Sequence, residues 1–309
     1  MDPAPFHADV ADGPDGGGAH WIVTRDGVRL RAGHWPCPGA RGTVLLFTGR
    51  TEYIEKYGRA ARALAERGFA TATLDWRGQG LSARLRDDPL IGHVRRFADY
   101  QHDVAALLAH ARTLGLPEPF HLLAHSMGGA IGLRALYEGL PVKGAAFSAP
   151  MWGIQLSASL RPLAWGLSTL ARQLRFGHLY APGQSGEPFL LRGAFELNTL
   201  TSDEEMFLYM QRQIQQHPDL ALGGPSLHWL NEALGETRRL AARPAPSRPC
   251  VTFLGTDETI VDTARIRARM AGWSGGELVS IEGGRHEVLM ETPRHRRAVF
   301  DRLAEEFGP

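Results

Sequence analysis

The sequence predicts an α/β fold, a mostly parallel sheet with helices on both faces and a block of helices inserted before the last strands. Three observations predict it. From Thr43 onward strand-like and helix-like runs alternate, which is the rhythm of a parallel sheet covered by crossover helices. After Ser148-Ala149-Pro150 the strand rhythm stops, and helical periodicity continues to about Leu240. Between these regions, Ala124-His125-Ser126-Met127-Gly128-Gly129 ends an apolar strand-like run and opens a helix-like one, so it reads as a sharp strand-to-helix turn.

The elements follow in order. Residues 1–18 are acidic and rich in proline and glycine, with no basic segment followed by an apolar one. They are expected to form a mobile N-terminal arm, not a secretory signal. Trp21 to Thr24 and Val28 to Ala32 flank Arg25-Asp26-Gly27, which signals a hairpin. Strands are expected at 43–48, 70–75, 119–124 and 142–148, alternating with helices at 53–67, about 97–114 and 127–138. The proline-rich run Arg243 to Pro249 reads as a stiff return linker. Two further strands with their helices then complete the sheet. The expected organisation is a core of residues 19–150 and 243–309 with a helical cap at 151–242.

A chain of 309 residues with 43% hydrophobic content can bury a large core as one domain. The net charge of +1 supplies no field to steer nucleic acid, so no nucleic-acid partner is expected. No run approaches the roughly 20 apolar residues of a membrane span. Cys37 and Cys250 lie far apart and outside any metal or redox spacing, so they read as reduced core cysteines and fit a cytoplasmic location. His121 and His125 have the separation of a helical zinc motif but lie across a strand and its turn. No metal and no cofactor is expected.

The chemistry of the turn sets the search for partners. A serine hydroxyl is a poor nucleophile until an imidazole takes its proton, and the imidazole needs a carboxylate to fix its tautomer. Val251 to Gly255 reads as a strand running into Thr256-Asp257, and Glu277 to Ile281 as another running into Glu282-Gly283-Gly284-Arg285-His286. Ser126, Asp257 and His286 would therefore converge at the carboxyl ends of parallel strands, where such sheets bind ligands. The expected roles are nucleophile for Ser126, orienting acid for Asp257 and base for His286, with Asp262 and Asp203 as rival acids. The oxyanion needs N–H donors. Met127, just after the serine, and Arg50, in the loop after the early strand 43–48, are the candidates.

Substrate contacts are expected from Gly49, Glu52, Trp165 and Leu167. Glu52 and Lys56 either line the entrance or form a solvated helix start. Leu160, Leu163, Leu167, Leu170 and Leu174 recur at helical spacing around Trp165. That stripe either packs the cap onto the core or forms a lipid-facing surface with an acyl groove. His125 is expected to be a structural neighbour of the serine, and Asp75 part of a buried turn network.

These segments resemble the α/β-hydrolase superfamily, in particular its serine-hydrolase branch of bacterial lysophospholipases and monoacylglycerol lipases. The matching segments are FTGRTEYIEKY (47–57), LDWRGQGLS (74–82), LLAHSMGG (122–129), LGTDETIVD (254–262) and EGGRHEVLME (282–291). The resemblance implies the α/β-hydrolase fold with a helical cap inserted before the last strands. It also implies the chain order Ser, Asp, His and the roles assigned above. Thr48-Gly49 stands where monoacylglycerol lipases more often have His-Gly, which favours the lysophospholipase-like side. The expected activity is hydrolysis of the acyl ester of a monoacyl glycerolipid through an acyl-enzyme on Ser126. The alternatives are a monoacylglycerol lipase or small-ester carboxylesterase, an aminopeptidase of the same superfamily, or a non-catalytic binding protein. The expected partner is a small lipid or ester, with peripheral contact at the inner membrane surface through the cap left open.

Overall fold

The computed structural model describes residues 1–157 and 160–308; the side chain of Leu160 falls outside the described set. Among the described residues nine strands form a single sheet. In chain order the first half is β1 (Asp2–Pro3), α1 (Ala8–Ala11), β2 (Gly18–Val23), β3 (Arg29–Trp35), β4 (Thr43–Phe47), α2 (Gly58–Ala65), β5 (Ala70–Leu74), α3 (Tyr100–Thr113), β6 (Phe120–His125) and α4 (Met127–Tyr137). It continues with β7 (Ala145–Ser148), α5 (Leu160–Gln173), α6 (Glu204–Gln216), α7 (Leu227–Ala241), β8 (Cys250–Gly255), α8 (Thr263–Ala271), β9 (Gly276–Ile281) and α9 (Pro293–Phe307). β1, β2, β3 and β5 pair antiparallel, and every pairing from β5 through β4, β6, β7 and β8 to β9 is parallel.

Side-chain alternation along the central strands divides the core. Leu45, Phe47, Leu122 and Ala124 face a cluster shared with α3, α4, α7 and α8. Val44, Leu46 and Leu123 face the other, shared with α2, α6 and α9. Both faces are covered, so β4, β6 and β8 are buried along their whole length, as central parallel strands are. The expected strands and the Arg25-Asp26-Gly27 hairpin are present, with boundaries shifted by one to three residues. Among the described residues no helix is long and apolar enough to cross a membrane.

The N-terminal arm requires a correction. Asp2 and Pro3 pair with Trp21 and His20, which extends the sheet. Val10 and Ala11 are fully buried, and their carbonyls accept hydrogen bonds from the Gln213 amide and the Tyr209 hydroxyl of α6. Glycine and proline set the bends of this segment, but two small apolar side chains anchor it. Of the helices between β7 and β8, α6 and α7 each contribute to one of the two core clusters, while α5 packs on α7. Asp203 and Asp262, the rival acids, are the N-caps of α6 and α8, accepting from Met206 and Arg265 N–H, and their charges pair with Arg296 and Arg161.

Candidate active site

Three strand ends build the site. β6 runs directly into Ser126, whose backbone takes φ 50° and ψ −117° before α4 begins. This left-handed turn pushes the hydroxyl out of the sheet and costs about 1–3 kcal/mol for a non-glycine residue. Its tightness dictates Gly128: a Cβ there would overlap the carbonyl oxygens of Phe47 and Thr48, at the end of β4. The loop after β9 carries His286 and is pinned by Glu291, whose carboxylate accepts the Arg285 N–H at 2.7 Å and the Ser202 N–H at 3.2 Å.

His286 Nε2 lies 2.9 Å from Ser126 Oγ, and its Nδ1 lies 2.6 Å from Glu258 Oε2. All three side chains are buried. The orienting acid expected at Asp257 is therefore corrected to Glu258. Asp257 is exposed, and its carboxylate meets only the neighbouring Thr256 hydroxyl among the described side chains. The cause is reach. The turn after β8 aims residue 257 at solvent and residue 258 inward, and the longer glutamate spans the remaining gap. Its other oxygen accepts the N–H groups of Ile260 and Val261, which fixes the carboxylate plane. Burial alone would raise the Glu258 pKa, but the His286 imidazole and these two N–H donors hold it below the usual value. Two adjacent acids at a strand end were the only sequence signal for this ambiguity.

The loop Thr48-Gly49-Arg50 leaves β4 beside the serine. Neither the Arg50 nor the Met127 backbone N–H donates to a protein acceptor among the described residues, and Met127 opens α4, where N–H groups have no intrahelical partner. Beneath the loop lies a buried charge cluster. Glu52 accepts from the Gly49 N–H, from the Tyr57 hydroxyl at 2.5 Å and from Lys56 Nζ at 2.5 Å. Lys56 also reaches Glu287 at 2.7 Å, and Glu287 faces His125 Nε2 at 3.3 Å, an ion-pair distance without hydrogen-bond alignment. Burial works against every charge here, yet the mutual attraction wins. Lys56 and His125 are raised from their ordinary pKa values, and Glu287 is held well below its own. His125 also contacts the Ser148 carbonyl through Nδ1 at 3.1 Å.

Glu52 is buried, yet it lines the cavity above Ser126 together with Lys56 and Glu287; Gly49, whose N–H it accepts, is not among the lining residues. Asp75 belongs to a separate buried network with Arg31 and the Ile54 and Leu81 N–H groups.

A cavity of about 570 Å³ opens above Ser126 and His286, within the usual range of small-molecule sites. Its walls are mainly apolar, including Leu163, Leu167, Leu222, Trp229 and Ile260. Leu167, expected as a substrate contact, is one of these lining residues. Trp165 is not: it faces a separate surface pocket with Arg161 and Arg238. The leucine stripe of α5 is not packed on the core, since Leu163, Leu167, Leu170 and Leu174 are 38–63% exposed. α5 instead meets α7 through Asn231, which bonds Ser168 and Thr169.

Among the described residues two groups place three ligand-type atoms together, Glu52 with His125 and Glu287, and His7 with Asp9 and His217. In the first, Lys56 already occupies the cation position between the carboxylates.

The sequence profile described as serine aminopeptidase, S33 (Hydrolase_4) matches residues 38–293. The chain belongs to that family. It is 33% identical over 299 residues to lysophospholipase L2 of Escherichia coli K12, covering 91% of this chain and 83% of that protein. Probable lysophospholipase L2 of Haemophilus influenzae is 30% identical over 268 residues, covering 86% and 83%. A soluble variant of monoglyceride lipase from Saccharomyces cerevisiae superposes with a TM-score of 0.71 at 21% identity, covering 93% of both chains. That likeness establishes the α/β-hydrolase fold.

Proposed function

We propose that the protein is a carboxylic ester hydrolase that cleaves the acyl ester of a monoacyl glycerolipid through an acyl-enzyme on Ser126. The observation that carries this reading is the hydrogen-bonded line Ser126–His286–Glu258 at the floor of an apolar cavity. His286 Nε2 accepts the serine proton as Oγ attacks the carbonyl carbon, and the Arg50 and Met127 N–H groups receive the oxyanion. Collapse breaks the ester bond, and His286 returns its proton to the departing glycerol oxygen. Water then repeats the sequence on the acyl-enzyme and releases the fatty acid. Glu258 stays ionised throughout and holds Nδ1–H toward itself.

The fatty chain is assigned to the Leu163, Leu167 and Leu222 wall. The exposed α5 leucines beside it form the surface through which the protein meets a micelle or membrane. An aminopeptidase reading is less well served. The carboxylates near the cavity floor that could hold a free amino group, Glu52 and Glu287, are already neutralised by Lys56 and His125.

The test combines covalent labelling with a chain-length series. A fluorophosphonate labels wild type, and Ser126→Ala removes both labelling and turnover while the fold persists. Each methylene buried contributes about 0.8 kcal/mol, so kcat/KM rises about threefold to fourfold per carbon until the cavity is filled. Turnover near wild type in Ser126→Ala, or activity confined to acetyl esters, would sink the proposal.

A further inference from the structure

The side chain of Arg50 has no role in the mechanism above, which uses only its backbone. It lines the cavity, with Nη1 donating to the Gly223 carbonyl at 3.0 Å and Cζ 5.5 Å from the centre of the Trp229 ring. A guanidinium carries five N–H donors. Among the described residues this is its one hydrogen bond, and no carboxylate lies within 4.0 Å of it.

Three buried cations are each matched by two carboxylates. Arg31 sits between Glu55 and Asp75, Arg77 between Asp26 and Asp103, and Lys56 between Glu52 and Glu287. Enclosing a cation without a counter-ion is costly, and burial holds the Arg50 pKa down to about 10, which still leaves it charged at neutral pH. Arg192 adds further positive potential from the neighbouring loop. An uncompensated charge on the wall of a substrate cavity is a site for an anion, and the planar fork of arginine suits a phosphate oxygen pair.

The geometry points to Arg50 as the residue that binds the phosphodiester of a lysophospholipid whose acyl ester lies on Ser126. Its backbone faces the reacting carbonyl while its side chain extends along the wall, so one residue spans the glycerol unit that joins ester to phosphate. This assignment rests on the ester-hydrolase reading and makes the head group, not the chain, the basis of selectivity.

The experiment compares a lysophosphatidylglycerol with the monoacylglycerol of the same chain, both in non-ionic mixed micelles. Arg50→Gln removes the charge and leaves a shorter, polar side chain in its place. The ratio of kcat/KM for the phospholipid over the neutral lipid is expected to fall about tenfold to a hundredfold, mainly through KM. Arg50→Lys, which restores the charge but not the fork, should recover only part of the ratio. Losses of equal size on both substrates would overturn the assignment, because they would mark a purely structural arginine or a disturbed oxyanion loop. Dodecyl phosphate should compete with monoacylglycerol in wild type and lose potency in Arg50→Gln, a readout that does not require turnover of phospholipid. Inorganic phosphate inhibiting as strongly as dodecyl phosphate would overturn the lipid assignment in favour of free phosphate. If wild type turned over neither substrate and resisted fluorophosphonate, the hydrolase reading itself would fail, an outcome separate from an unchanged ratio.

Discussion

Replacing Glu258 by glutamine changes one atom of the site, and its consequence follows from the hydrogen bonds around the carboxylate. Oε1 accepts from the Ile260 and Val261 N–H groups, and Oε2 faces His286 Nδ1 at 2.6 Å. The glutamine oxygen must stay with the two backbone donors, so its NH₂ turns toward His286. Nδ1 then becomes an acceptor, the proton moves to Nε2, and the nitrogen 2.9 Å from Ser126 Oγ becomes a donor that cannot take the serine proton. A wrong tautomer of this kind costs about 10⁴ in turnover, equivalent to about 5.4 kcal/mol in the barrier at 1.36 kcal/mol per factor of ten. The fold loses only a charge-assisted hydrogen bond, about 1.5–3 kcal/mol. Steady-state hydrolysis of a p-nitrophenyl ester and the rate of fluorophosphonate labelling measure the effect, with circular dichroism to confirm folding. Asp257→Asn, at the exposed neighbour, should stay within about twofold of wild type, since surface changes are small. A loss below tenfold in Glu258→Gln, or an equal loss in Asp257→Asn, would refute the reasoning.

Three further predictions address the surroundings of the triad. Lys56→Met leaves Glu52 and Glu287 buried without their cation and should destabilise by about 3–5 kcal/mol in chemical denaturation, with partial recovery when Glu52→Gln is added. His125 is raised in the fold above its ordinary 6.5, so its contribution is complete below that value and fades as pH rises through the higher folded value. Thermal melts of wild type should show that alkaline decline, whereas His125→Gln should flatten it. The Glu287 contribution, from a depressed carboxyl, should instead be lost toward acid pH. Gly128→Ala forces a methyl against the Phe47 and Thr48 carbonyls, and a melt should report about 1–3 kcal/mol of destabilisation together with lost labelling of Ser126.

The sheet was legible because buried parallel strands and amphipathic helices differ in period, and the serine turn because close backbone approach leaves only small residues beside it. Single residues at strand ends were less so. Asp257 and Glu258 differ by one position, and only the turn geometry after β8 tells which carboxylate faces the crevice. Glu52 and Lys56 read either as entrance lining or as a solvated helix start, and it takes Glu287, 231 positions beyond Lys56, to show them as a buried ion cluster at the cavity edge. Trp165 has the size of a substrate contact, but helix rotation turns it to another pocket. The first 18 residues read as loose because composition registers glycine and proline but not the shape of the groove that receives Val10 and Ala11.

That groove bears on how lipid enters. Ala11 and Val10 carbonyls hold Tyr209 and Gln213, Asp12 bonds Arg59, and Asp9 bonds His217 just beyond α6. α6 is thereby stitched to the sheet side of the molecule at both its middle and its end. A roof fastened along one beam does not lift as a whole. α5 and the loop that follows it are also held, by Arg161 on Asp262, Arg172 on Glu232 and Tyr180 on Asp88, but these ties lie nearer solvent, and the leucines on this side face outward. Deleting residues 1–13 would cut the stitching and turn a one-sided door into a loose cover, changing the kinetics of entry without touching any atom of the catalytic line.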